Sequence, residues 1–395
     1  MSAVRLTPIL TYLLVAWFVA DVGGRLLPVE WLHILPEHVA TRSPGRYSPF
    51  IPNLNFLNDS WTGETAMTGN LKPTETRPAV HFSTDAWGYR ATPGVPPGAK
   101  FDLILHDGAS FAYGGGLSDN ETLPAVVSST TGLKMYNGGH FFWDPPGVQC
   151  LDDLLAKTEG QKPTVVLLEW EQFDHDLAQL DGRPWRLDGP GKALLGAERY
   201  TQLRGDLQFA KRYLNAVWNI SPLEVLSIRL FKSLSNDVIL PNRYRQAVEA
   251  RTLPGGQRIL FLTDEVRRTM HPPTEKDVLA RAQYFSHYQQ LLAARKLDLY
   301  VVLLPNKYTL YGTLIDGVSP PIEPPYLDRL EIAISKTGVK VVNMLPELRR
   351  QAAAELASGE LSYYREDHHW SPRGVRAVAA ALAARYSRES PHVIQ

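Results

Sequence analysis

The feature that most constrains the fold is an alternation of short apolar runs with helical patterns after residue 100. The helical pattern is clearest at 275–296, where Thr274 stands as an N-cap and apolar residues recur at helical spacing. Such alternation is typical of a parallel sheet with crossover helices that pack on it. The runs with strand character are 101–105, 134–136, 164–169, 297–304 and 339–344.

The pattern also divides the chain. Residues 101–390 form the expected main domain, with an insertion at about 172–296 that includes a helical stretch at 198–217 and an apolar run at 258–263. Residues 27–100 are dense in Pro, Gly, Asn and Thr, which predicts a loop-rich leader packed on the core.

The N-terminus reads as an export signal. An almost wholly apolar stretch at 6–20 follows Arg5 and ends at Asp21. A membrane span needs about 20 residues, so residues 1–26 are interpreted as either a transmembrane signal anchor or a cleaved signal peptide. A buried N-terminal helix in a cytoplasmic protein is the alternative. An anchor would contact inner-membrane lipid and place the rest of the chain in the periplasm or outside the cell.

Composition excludes several classes of protein. The 41 basic and 41 acidic residues balance and are interspersed, so the chain has no basic stripe for nucleic acid. The single cysteine, Cys150, excludes an intramolecular disulfide and a multi-cysteine metal site. No metal and no organic cofactor is implied by the residues.

A serine in a glycine-rich turn is the first candidate for chemistry. Ser110 follows the first predicted strand, where parallel α/β sheets gather their ligands. Such a turn exposes the hydroxyl, and the backbone N–H of the same serine can help to hold an oxyanion. A structural turn serine is the alternative, since Gly and Ser are common in turns.

The second candidate lies near the C-terminus. Ser371 and Pro372 fit the N-cap and first position of a helix over 375–386, so Asp367 and His369 lie in the loop before it. In an extended segment residues two apart share a face, which lets the carboxylate orient the imidazole as a base. His368 would then point away. A polar loop that only caps the helix is one alternative, and metal binding by the two histidines another.

Together these motifs resemble the SGNH/GDSL hydrolase superfamily, and more narrowly its alginate O-acetyltransferase-like branch. The resemblance rests on Gly108-x-Ser110, on Asp367-x-His369-Trp370 with its flanking residues, and on the segments 82–90 and 304–308. It implies a three-layer α/β/α domain with Ser110 as nucleophile, His369 as base and Asp367 as its orienting acid.

The resemblance also implies further site residues. By its spacing Gly139, rather than Gly138, in the segment 136–139 corresponds to an oxyanion-hole glycine, alongside the N–H of Ser110, and a plain turn glycine is the alternative. Ala109 stands where the superfamily has an aspartate, and the third strand offers no oxyanion asparagine. Candidates for binding the substrate are Lys307, Arg90 and Trp370. The alternative for Lys307 is an ordinary surface lysine, and the alternative for Trp370 is packing at the rim of the site.

The resulting hypothesis is O-acetyltransfer from an acetyl donor to a cell-envelope or secreted polysaccharide, through an acetyl-serine and with other polysaccharide-assembly proteins as partners. Two rivals remain. A carbohydrate O-acetylesterase would share the acyl-enzyme and resolve it with water. The second rival is an inactive glycan-binding scaffold, which would explain why the superfamily's aspartate and asparagine are absent from this sequence.

Overall fold

The computed structural model of the chain describes most of the predicted domain. Within 223–234 it also describes five single positions, 223, 226, 227, 230 and 234. The predicted helix at 198–217 lies outside the described residues. The other described ranges are 3–26, 50, 52–58, 63–69, 71–139, 149–158, 160–171, 247–318 and 324–389.

Strands and helices alternate along the described chain. The strands are β1 (Asn55–Asn58), β2 (Val80–Ser83), β3 (Leu103–Asp107), β4 (Met135–Asn137), β5 (Thr164–Trp170), β6 (Val248–Thr252), β7 (Arg258–Leu262), β8 (Leu299–Leu304) and β9 (Lys340–Asn343). The helices are α1 (Ala3–Gly24), α2 (Glu64–Thr68), α3 (Ala109–Tyr113), α4 (Leu123–Thr131), α5 (Gln149–Ala156), α6 (Thr263–Met270), α7 (Glu275–Ala293), α8 (Thr313–Asp316), α9 (Tyr326–Lys336), α10 (Leu345–Ser358) and α11 (Pro372–Glu389).

The central sheet is parallel and has the order β4-β3-β5-β8-β9. All five predicted strands are present in it, so the predicted parallel α/β architecture is confirmed. The chain leaves β3 for β4 on one side and then crosses to β5 on the other. The strand order therefore reverses at β3, and such a switch point is where open α/β sheets form their ligand sites.

Both faces of this sheet are covered, which gives three layers. Side chains alternate along β3, so Leu103 and Leu105 pack on one face and Ile104 on the other. Helices α4 and α11 cover the first face, and α7 and α9 cover the second. The strands are buried on both sides, which explains why they read as continuous apolar runs.

Helix α7 begins where the sequence predicts. The Thr274 side chain accepts a hydrogen bond from the N–H of Asp277, whose carboxylate accepts one from the N–H of Thr274. This reciprocal capping box satisfies two N–H groups at the helix start. The helix packs against the sheet as expected, so this end of the predicted insertion is a crossover helix between β5 and β8.

Two small antiparallel sheets lie outside the central sheet, one in the leader and one in the predicted insertion. β1 pairs with β2, and β6 pairs with β7. The apolar run at 258–263 is therefore one strand of a hairpin. Helix α2 contacts this hairpin, so the leader and the insertion meet beside the main sheet.

The first residues form the helix α1, but the predicted transmembrane helix is not found. Among the helices in the described part of the chain, none is long and apolar enough to cross a membrane. Arg5 and Asp21 confine the apolar stretch to residues 6–20, and a span needs about 20 residues. Asp21 forms an ion pair with Arg25 at 2.8 Å.

Candidate active site

Ser110 lies at the switch point of the sheet, in the short helix α3 directly after β3. Gly108 precedes this helix with a φ of 138°, and a Cβ on it would lie 2.6 Å from Cβ of Leu168. Glycine is therefore required here for both conformation and space. The strand-to-helix turn leaves Ser110 half-buried.

Asp367 and His369 form the hydrogen-bonded pair that their spacing predicts. Nδ1 of His369 lies 2.7 Å from Oδ1 of Asp367, which also accepts the backbone N–H of His369 at 3.0 Å. Both residues are buried. The carboxylate thus fixes the orientation of the ring and leaves Nε2 as the nitrogen that faces elsewhere.

That nitrogen faces the residues that follow Ser110. A Cβ placed on Gly115 would lie 3.2 Å from Nε2 of His369, and the N–H of Gly115 donates to the backbone oxygen of Ser110 at 2.7 Å. The ring of Phe111 lies 5.2 Å from the His369 ring. The structure therefore brings the two predicted motifs together, although more than 250 residues separate them.

The leader contributes directly to this site. The N–H of Glu64, in the first turn of α2, donates to Oδ2 of Asp367 at 2.8 Å. The Arg77 guanidinium lies 3.5 Å from the same oxygen and stacks 3.8 Å from the centre of the Tyr364 ring. Two leader groups therefore hold the carboxylate oxygen that does not bind His369.

The leader also forms hydrogen bonds with Glu366, the residue before Asp367. The backbone N–H and the hydroxyl of Thr74 both donate to the Glu366 carboxylate, at 2.7 and 2.6 Å. Arg258, from β7, donates to the same carboxylate at 2.8 Å. The backbone oxygen of Glu366 accepts from Ala66, and a Cβ on Gly63 would lie 2.3 Å from that oxygen.

Lys307 is an interior residue. It is fully buried, and its ammonium donates to the backbone oxygens of Tyr364, Arg365 and Asp367, the last at 2.8 Å. All three hydrogen bonds of the ammonium among the described residues are to the loop, and the centre of the Phe261 ring lies 5.3 Å from it. The alternative of a surface lysine is wrong, because the side chain is buried, and contact between Lys307 and substrate stays a prediction. Its place supports the shape of the loop that carries the Asp367–His369 pair.

Arg90 and Trp370 are also interior residues. Arg90 is fully buried, donates to Asp119 at 2.7 Å and to the backbone oxygen of Leu117 at 2.6 Å, and lies over the Phe82 ring. Trp370 is 1% exposed and packs edge-on against Phe111. Burial favours a role for both residues in holding the turns around the site, and their contact with substrate stays a prediction.

Gly139, predicted as an oxyanion donor, packs against the nucleophile helix. A Cβ on it would lie 2.7 Å from the backbone nitrogen of Tyr113, and its N–H donates to Oδ1 of Asn137 at 3.1 Å. Within the described residues, Nδ2 of Asn137 is buried with no hydrogen-bond partner. Sequence reasoning did not single out Asn137, since a polar residue at the end of a strand carries no distinctive signal.

The alternation of side chains in an extended segment predicts that His368 points away from the Asp367–His369 pair, and this prediction is wrong. His368 is 7% exposed, its ring lies 4.1 Å from that of His369, and it stacks on Trp170 at 5.0 Å with 14° between the planes. The loop is a turn in this region, so the extended geometry behind the prediction does not apply. Trp170 ends β5, the third of the predicted strands, which lacks the oxyanion-hole asparagine of the superfamily.

Burial and charge set the protonation states around the site. Burial alone would raise the pKa of Asp367, but the attraction of His369 and Arg77 outweighs it and holds that pKa well below its usual range. Burial lowers the pKa of His368, and the neighbouring His369 lowers it further. At neutral pH the site therefore contains a carboxylate at Asp367 and a neutral His368.

A second buried pair lies beneath the loop. Burial lowers the pKa of Lys307 to about 8, although the negative charges of Glu265 and Asp367 oppose the shift. Burial raises the pKa of Glu265 to about 8, against the attraction of Lys307. Both carboxylate oxygens of Glu265 are buried without a hydrogen-bond partner in the described residues.

The fold and the Asp367–His369 pair are those of an SGNH-like α/β domain. The parallel sheet lies between two layers of helices, and the aspartate and histidine lie in the loop before the last helix. Comparison with known families agrees. Residues 253–395 match the family described as an SGNH hydrolase-like domain, acetyltransferase AlgX. The matched part of the chain contains Asp367 and His369, whereas Ser110 and the leader precede it. No curated protein matches the sequence.

Proposed function

We propose that the chain is a serine-dependent O-acetyltransferase that acts on a polysaccharide outside the cytoplasm. The observation that carries the proposal is the 2.7 Å contact between Asp367 and His369, with Nε2 of His369 directed at the turn after Ser110. The family match of residues 253–395 supports acetyl transfer as the reaction class. Acetyl donor, carbohydrate acceptor and polysaccharide-assembly proteins are the proposed partners.

The chemistry follows from the three side chains. Nε2 of His369 takes the proton of the Ser110 hydroxyl while Oγ attacks the acetyl carbonyl carbon, and Asp367 stabilises the imidazolium that forms. Collapse of the tetrahedral intermediate breaks the bond to the donor oxygen, which receives the proton from His369. Ser110 is left as its acetyl ester.

The second half repeats the steps with the acceptor. A sugar hydroxyl gives its proton to Nε2 of His369 as its oxygen attacks the acetyl-serine carbonyl, and the Ser110 oxygen leaves with that proton. Water in place of the sugar would give acetate, which is the esterase outcome. The N–H of Ser110 is the proposed oxyanion donor, in the short turn that follows the strand.

Release of acetate from a model acetyl ester by the full chain tests the proposal, with and without oligosaccharide acceptors. Ser110→Ala and His369→Ala should each lower turnover by roughly 10³-fold or more. Matched controls are Ser129→Ala and His287→Ala, since both of these residues are exposed and lie on helices of the outer layers. Mass spectrometry of the parent should detect an acetyl group on Ser110.

The acceptor then separates the two reactions. Acetylated oligosaccharide as the main product would support the transferase, and acetate alone would support an esterase. Equal turnover in the parent and both active-site variants would reject the serine mechanism and favour the glycan-binding scaffold.

A further inference from the structure

Four side chains from two distant segments converge beside the Asp367–His369 pair. Glu64, Asp367, His368 and His369 each offer a nitrogen or oxygen atom, and these atoms all lie within 4.8 Å of one another. Glu64 comes from the leader helix α2 and the other three from the loop before α11. Two imidazoles and two carboxylates form a donor set that suits zinc and similar divalent transition metals.

The donors lie close to the spacing that a tetrahedral ion needs. Metal–ligand bonds of about 2.0–2.1 Å place neighbouring donors about 3.3–3.4 Å apart in such a site. Here Oε2 of Glu64 lies 3.8 Å from Nδ1 of His369 and 3.9 Å from Nε2 of His368. Oδ1 of Asp367 lies 3.8 Å from Nδ1 of His368 and 2.7 Å from Nδ1 of His369. His368 can offer only one of its two ring nitrogens to an ion, and the four ligand atoms then lie within 4.8 Å of one another. Side-chain rotations that shorten the longest of these distances by up to about 1.4 Å would complete the tetrahedron.

His368 supplies a second, independent observation. It is 93% buried by its 7% exposure, yet its Nδ1 has no hydrogen-bond partner among the described residues. Buried polar atoms are nearly always paired, and one that is not points to an absent water or ion. Stacking on Trp170 fixes the ring, so Nδ1 is held 3.8 Å from the Asp367 carboxylate.

An ion could reach the four donors from solvent, and the charges around them would partly balance its own. The Glu64 side chain is 39% exposed, while the other three donors are buried, so Glu64 lies between the cluster and solvent. Two carboxylates would neutralise a divalent ion. Arg77, 3.5 Å from Oδ2 of Asp367, opposes binding and would keep the affinity moderate.

We infer that Glu64, Asp367, His368 and His369 form a site for a divalent transition metal ion of the zinc type, and that the ion switches the catalytic pair off. The ion binds Nδ1 of the neutral His369 ring as the proton on that nitrogen moves to Nε2, so the ring stays neutral and Nε2 can no longer take the proton of Ser110. The imidazolium needed during acyl transfer then cannot form. This inhibitory role rests on the proposed function, whereas binding of the ion does not.

Direct binding tests the site without reference to activity. Titration calorimetry of the full chain with zinc chloride should give one site per chain. His368→Gln and Glu64→Gln should each weaken binding by about tenfold or more. His287→Gln, an exposed histidine on α7, is the matched control and should bind as the parent does.

Activity provides the second readout. Zinc should inhibit acetate release by the parent and EDTA should restore it, whereas zinc should leave the rate of His368→Gln at that variant's own metal-free value. Magnesium, which prefers six oxygen ligands, should neither bind nor inhibit. Zinc binding that both His368→Gln and Glu64→Gln leave unchanged would overturn the inference, as would no binding at all. A chain that binds zinc at this site but releases no acetate would keep the site and reject the proposed function.

Discussion

The guanidinium of Arg77 lies 3.5 Å from Oδ2 of Asp367, although 290 positions separate the two residues in the sequence. It also stacks 3.8 Å from the Tyr364 ring and binds Glu75 at 2.8 Å. Glu75 in turn accepts from the backbone N–H groups of Arg365 and Glu366. The loop-rich leader is therefore part of the active-site framework, outside the region that matches the family.

Arg77 should act as a positioning residue. Arg77→Met removes the charge that faces Asp367 and the plane that stacks on Tyr364, so the carboxylate loses one of its two leader contacts. We expect kcat/KM for a model acetyl ester to fall about 10- to 100-fold. Arg77→Lys should restore part of this loss, because the charge returns without the planar fork.

The matched control for this test is Arg267→Met. Arg267 is exposed on α6 and pairs only with Asp264 among the described residues, so its loss should leave kcat/KM unchanged. If Arg77→Met and Arg267→Met behave alike, the contact with Asp367 has no part in catalysis.

Local patterns predicted the sheet and the three central side chains. The five strands are continuous apolar runs because both faces of the sheet are covered, and the Asp-x-His spacing lies within one loop. The leader contacts of Glu64 and Arg77 were not predictable, because they join segments about 300 positions apart and carry no local periodicity. The burial of Lys307 and Arg90 was not predictable from the sequence, since charged side chains lie at the surface unless they are paired.

Lys307 is expected to stabilise the fold. Lys307→Met removes three hydrogen bonds to backbone oxygens of the loop 364–367 and leaves Glu265 without its neighbouring charge. The free energy of unfolding should fall by about 2–4 kcal/mol, measured by urea denaturation. Lys340→Met is the control, since this lysine pairs with Asp298 at the surface and should cost at most about 1 kcal/mol. Equal losses would contradict a special role for Lys307.

The coupling between Lys307 and Glu265 can be measured in the same experiment. The measurement is made at pH 8, close to the pKa of both groups, where each is partly charged. Replacing both residues, by Lys307→Met with Glu265→Gln, then removes the buried charge together with its partner. The double variant should be less destabilised than the sum of the two single variants by about 1–2 kcal/mol. Simple additivity would indicate that the two groups do not interact.

Glu265 should make stability depend on pH. Its pKa of about 8 in the folded chain lies above its usual value, so the folded state holds a proton that the unfolded chain releases. The unfolded state then binds fewer protons between about pH 4.5 and pH 8, and stability falls as pH rises through this window. From pH 5 to pH 8, Glu265→Gln should lose roughly 1–3 kcal/mol less stability than the parent. Glu249→Gln, a half-buried residue on β6, should follow the parent.

Gly115 offers the sharpest test of where His369 acts. A methyl group at this position would lie 3.2 Å from Nε2 of His369 and 3.4 Å from two ring carbons, so Gly115→Ala presses on the edge of the ring that takes the proton of Ser110. Because proton transfer needs close alignment, kcat/KM should fall roughly 10- to 100-fold while the melting temperature changes little. Gly255→Ala is the matched control, since its methyl group would meet nothing within 4 Å and should leave both quantities unchanged. Parent-like activity in Gly115→Ala would mean that Nε2 does not face the acyl group from this side, and that the serine and the histidine act through a different arrangement of the glycine turn.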